Sequence, residues 1–144
     1  MVIQRQSSGN TQIYTNKKIR LFIQDVVQMV RVSEQEAGGK TGATNWEALS
    51  LEGKIEGAEE WYYHKTGQML LNGSLTAKGV PPTRLSLEQI KSLVRIGINP
   101  DAFEPKRVIY CEKKKCTSSW TNPCPWYKWK LHRCRKIRFE MNHK

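Results

Sequence analysis

Four cysteines, Cys111, Cys116, Cys124 and Cys134, and two of the three histidines, His132 and His143, fall within the last 39 residues of this 144-residue chain. Thiolate and imidazole are the usual ligands of structural zinc, and the Cys-x4-Cys spacing of Cys111 and Cys116 lies within what such sites tolerate. If Lys130 to Cys134 is extended, His132 and Cys134 share one face of the strand. Cys111, Cys116, His132 and Cys134 are therefore the preferred set for one structural zinc, with Cys124 as the competing ligand. No second close pair of the Cys-x2-Cys kind completes a zinc-ribbon pattern, so buried thiols and disulfides stay open as alternatives. Catalysis finds less support. The histidines lack the spacing of metallohydrolases, and only residue type would pair a cysteine with His64 or His132 as base. A non-enzymatic protein with no catalytic residues is expected.

The same segment, residues 106–144, holds 12 of the 24 Lys and Arg but only 2 of the 13 acids, which places +10 of the net +11 there. Trp120, Trp126 and Trp129 lie among these cations. That mixture suits nucleic acid, since phosphates attract Lys and Arg while unstacked bases lie on aromatic rings. From Tyr127 to Met141 the chain alternates: odd positions carry Tyr127, Trp129, Leu131, Ile137, Phe139 and Met141, and even ones carry Lys128, Lys130, His132, Cys134, Lys136 and Arg138. A period of two predicts a half-buried strand, or two strands bending near Arg133 to Arg135, with one cationic face. Lysines that only guard an edge strand against aggregation would number about two or three. The expected nucleic-acid contacts are Lys113, Lys114, Lys115, Trp120, Trp126, Lys128, Lys130, Arg133, Arg135, Lys136 and Arg138; Trp129 falls on the packed side.

The elements that must carry this segment are read from the preceding residues, which are nearly neutral, with 12 basic and 11 acidic side chains in residues 1–105. Residues 1–11 are polar and expected to hold little fixed structure, leaving a body over 12–105. Ile19, Phe22, Ile23, Val26 and Val30 predict a helical face between Lys17 and Val32, with a strand as the alternative since Ile19, Leu21 and Ile23 also alternate, and Gly38 and Gly39 end the element. Lys40 and Thr41 do not make a phosphate-binding loop, because Glu34 occupies the position of its first glycine. Thr44 and Glu47 form a capping box for a short helix through Trp46, Ala48 and Leu49. Three antiparallel strands are expected from Trp61 to Ala77, the last two joined by a type I′ turn at Asn72-Gly73. Ser86 and Gln89 cap a helix that buries Leu87, Ile90, Leu93 and Val94 and is closed by Gly97. The fold class is thus α+β: a small antiparallel sheet, two or three helices and a basic Cys/Trp-rich β segment.

Hydrophobic content of 38% implies modest burial, which a metal, a second copy in a homodimer or a bound polyanion would supplement. Residues 1–10 lack the apolar core of a signal peptide, and no run reaches the roughly 18 apolar residues of a membrane span. A cytoplasmic or nuclear protein that binds RNA or single-stranded DNA is the leading expectation. An adaptor or accessory protein, viral ones included, that binds a protein partner through the Trp/Cys-rich segment is the other.

Overall fold

The computed structural model describes residues 1–16, 18–19, 21–40, 46–74 and 76–98, together with Cys116, Cys134, Glu140, Asn142 and His143. Among these, four strands and three helices form an α+β fold. Strands β1 (Val2–Arg5), β2 (Thr11–Tyr14), β3 (Tyr62–His64) and β4 (Met69–Leu71) make one antiparallel sheet in the order β1-β2-β4-β3. The register aligns Ile3 with Ile13, Ile13 with Leu70 and Leu70 with Tyr63. Because alternate residues face one side of a sheet, this row crosses all four strands on one face. Helices α1 (Gln24–Ala37) and α3 (Leu87–Ile98) pack against that row through Val26, Val27, Val30, Ile90, Leu93 and Val94. A short helix, α2 (Trp46–Leu49), places Leu49 in a second cluster with Ile55 and Ala58.

The N-terminus departs from expectation. Residues 2–5 form an edge strand, and Gln6 to Asn10 make the turn to β2, with Gln6 N donating to Asn10 O at 2.8 Å. Composition misled here because β1 is held by backbone pairing and by Arg5, whose guanidinium donates to Leu85 O at 3.0 Å. The third strand expected at Ser74 to Ala77 is also absent among the described residues, and Asn72-Gly73 is not a hairpin turn. Asn72 is fully buried. Its Nδ2 donates to Glu60 O at 3.0 Å and Pro81 O at 2.9 Å, while its Oδ1 accepts from Thr11 N at 3.2 Å and Thr83 N at 2.8 Å. Two donors and two lone pairs are thereby all engaged. The side of β4 left for a third local strand is taken by β2.

The helices follow local rules with informative exceptions. Ser86 Oγ accepts from Gln89 N at 3.1 Å and Gln89 Oε1 from Ser86 N at 2.8 Å, the expected capping box of α3. Gly97, expected to end this helix, lies inside it. A Cβ there would collide with Val26 and approach Met29 Cε to 2.9 Å, so the glycine permits close contact between α1 and α3. Helix α1 starts at Gln24, later than the apolar spacing suggests, since no capping side chain precedes it. Its first turn is instead fixed by Ile23 N, which donates to Gln68 Oε1 at 2.8 Å. Gly38 N then donates to Glu34 O, and Gly39 adopts φ +78. The glycine stop is where the sequence placed it, because an orphan carbonyl and a left-handed residue need no distant partner. Helix α2 is present as expected; Thr44 of its capping box lies outside the described residues.

Candidate functional site

Two residues of the expected zinc set are described. Cys116 is half-buried. Cys134 is half-buried and packs against the principal core, and its backbone is helical, as are those of Glu140 and Asn142. The extended geometry expected at Cys134 is therefore corrected. Leu131, Cys134, Ile137 and Met141 also fall at helical spacing, a signal hidden beneath the stronger alternation. The reason given for pairing His132 with Cys134, an extended strand through both, does not hold at Cys134 itself, whose side chain packs against the core. Cys111, Cys124 and His132 lie outside the described residues, as do the expected nucleic-acid contacts Lys113, Lys114, Lys115, Trp120, Trp126, Lys128, Lys130, Arg133, Arg135, Lys136 and Arg138. No group of three or more potential metal ligands occurs among the described residues.

Within the body, two buried charges are committed to structure. Glu34 on α1 accepts from Trp61 Nε1 at 2.8 Å, Thr83 Oγ1, Arg84 N at 2.9 Å and Arg84 NH1 at 3.5 Å. Arg31, one turn earlier, donates to the carbonyls of Leu49 at 2.9 Å, Leu51 at 2.8 Å and Gly53 at 2.6 Å. Burial pushes its guanidinium down to about 10, which the nearby Tyr63 phenol partly opposes. The same burial raises the Tyr63 phenol above its ordinary value. His64 Nδ1 accepts from Gly67 N at 2.9 Å within the β3–β4 turn, so this histidine organises a turn.

A groove of about 380 Å³ lies between the segment entering α1 and the β3–β4 turn, lined by Thr15, Asn16, Ile19, Leu21, Phe22, Lys65, Thr66, Gly67 and Gln68. Phe22 is 74% exposed and Ile19 65%. Both were expected on the buried face of a helix, and the later start of α1 leaves them outside it. The groove walls are cross-linked: Gln68 Oε1 accepts from Ile23 N, Gln68 Nε2 donates to Tyr63 Oη at 3.1 Å and Lys65 O at 2.8 Å, and Thr15 Oγ1 donates to Gln68 O at 2.9 Å. These bonds hold Gln68 at φ 49, a conformation uncommon for a residue with a side chain. The sequence signal for this surface was an acid-free run from Thr11 to Gln24 containing Lys17, Lys18 and Arg20.

No protein family, curated protein or solved structure matches the chain. No helix among the described residues is long and apolar enough to cross a membrane.

Proposed function

We propose that this chain is a non-enzymatic nucleic-acid-binding protein of the cytoplasm or nucleus that uses residues 106–144 to engage RNA or single-stranded DNA. The segregation of charge carries this reading: +10 of +11 resides in those 39 residues, interleaved with Trp120, Trp126 and Trp129. Phosphate neutralisation by Lys128, Lys130, Arg133, Arg135, Lys136 and Arg138 supplies most of the affinity, and Trp120 and Trp126 stack on bases. The packing of Cys134 against the core supports contact between the segment and the body at that residue. A structural zinc, in this proposal, draws on Cys111, Cys116, His132 and Cys134, with Cys124 as the competing ligand.

Binding of labelled single-stranded oligonucleotides across a salt series tests the reading. Affinity should fall steeply with salt, and Lys128→Ala with Lys130→Ala should reduce the log–log slope by about 1.4, from ~0.7 per phosphate contact on a single strand. The loss should be uniform across sequences. Salt-independent binding, or none, would remove the proposal.

A further inference from the structure

The body is close to neutral, yet its cations are unequally available. Arg31 is buried under carbonyls, Arg5 reaches Leu85 O, Arg84 pairs with Glu60 at 2.9 Å and Lys91 with Glu88 at 3.0 Å. Lys54 and Lys78 share a shallow pocket with Glu59 and Glu60. Lys18 and Lys65 differ: both are exposed and neither ammonium is in a described salt bridge, while Glu52 Oε1 accepts from the Lys65 backbone N at 3.3 Å. Lys65 lines the groove beside α1, and Lys18 adjoins its lining residue Ile19. No acid occurs in the sequence from Thr11 to Gln24 or from Trp61 to Leu71, the two stretches that build this groove.

Phe22 offers an uncovered aromatic ring at the same place. The groove is concave, and its wall carries polar groups with capacity to spare: Thr66 Oγ1 and Asn16 Nδ2 make no hydrogen bond among the described residues. A membrane surface takes up the broad apolar face of an amphipathic helix, whereas single-stranded nucleic acid is held by a ring for stacking beside cations for the phosphates. The bonds to Gln68 fix both walls, so little ordering is required when a ligand enters.

We infer that this groove is a second contact for single-stranded nucleic acid, with Phe22 stacking on a base and Lys18 and Lys65 holding the flanking phosphates. The inference rests on the nucleic-acid reading above and extends it from the C-terminal segment onto the folded body. One strand bound at both places would be held by two tethered contacts, and loss of either would weaken the whole.

Fluorescence anisotropy of labelled oligo(U) and oligo(dT) with the full chain tests it. Phe22→Ala should weaken binding about tenfold at every salt concentration with the salt slope unchanged, and Phe22→Trp should bind at least as well as wild type. Lys18→Gln with Lys65→Gln should lower the slope by about 1.4. Phe22 is exposed, so a thermal melt should show Phe22→Ala folded as wild type. If Phe22→Ala and the lysine pair bind like wild type while Lys128→Ala with Lys130→Ala weakens binding, the groove is no contact and the C-terminal reading stands. If wild type shows no salt-sensitive binding, both readings fall. If Phe22→Ala loses binding only to phosphatidylserine vesicles, the groove belongs to a lipid surface and this inference is wrong.

Discussion

Replacing Glu34 by Gln changes one atom and tests how the body is held together. Each carboxylate oxygen faces donors: Oε2 meets Trp61 Nε1 and Thr83 Oγ1, and Oε1 meets Arg84 N and NH1. Whichever way the amide turns, its NH2 confronts donors. On the Arg84 side neither donor can become an acceptor. On the other side the Thr83 hydroxyl can rotate to accept, since it already accepts from Leu85 N and has a second lone pair, but the indole cannot. The less costly orientation therefore strands Trp61 Nε1, whose side chain is fully buried. An unsatisfied buried donor costs about 1–3 kcal/mol, and replacing a charge-assisted acceptor by a neutral one adds roughly 1 kcal/mol. The Arg84 guanidinium is exposed to water and is left out of the sum. We expect Glu34→Gln to lose about 3 kcal/mol in urea unfolding at neutral pH, a midpoint shift without a change of slope. Trp61→Phe removes the stranded donor, so the double variant should be less damaged than the two single losses added, by about 1–2 kcal/mol. A Glu34→Gln protein within 0.5 kcal/mol of wild type, roughly the limit of independent-site additivity, or a strictly additive cycle, would refute this account.

Gly97→Ala should cost about 1–3 kcal/mol through overpacking against Val26 and Met29, far more than its gain in helix propensity; an unchanged melting temperature would show that α1 and α3 are not in close contact. Tyr63 should ionise at higher pH than a free tyrosine when tyrosinate absorbance is followed. Its folded phenol is raised, so the unfolded chain ionises first and stability should fall as pH rises past about 10, a loss weakened in Tyr63→Phe. Cys134→Asp should lower the melting temperature by several degrees because it sets a charge against the core, and equal melting would show that this part of the chain does not pack there.

What could be read in advance was what the chain decides locally. The capping box of α3 needs only Ser86 and Gln89, and the end of α1 needs only Gly38 and Gly39, so both were legible. The errors share a different cause. Asn72-Gly73 carries turn residues, but the amide of Asn72 is taken by groups from Thr11, Glu60, Pro81 and Thr83, and no local rule contains them. Gly97 reads as a stop until Val26 is seen across from it. Ile19 and Phe22 fit a helical face that begins too early, because the actual start is set by Gln68, 45 residues away. At Cys134 the sequence was legible in charge but not in backbone, since this residue satisfies a period of two and a helical period equally well.

The strand order also constrains how the protein can be made. Strand β2 pairs with β4, and Thr11 meets Asn72 across 61 residues, so the hairpin at the start of the chain is synthesised long before its neighbour. An isolated two-stranded hairpin is marginal in water, and closing so long a loop is slow. Ile13 therefore gains its cross-strand neighbour Leu70 only after β4 has been made. The sheet is thus completed by contacts of large sequence separation, which places its closure late in synthesis.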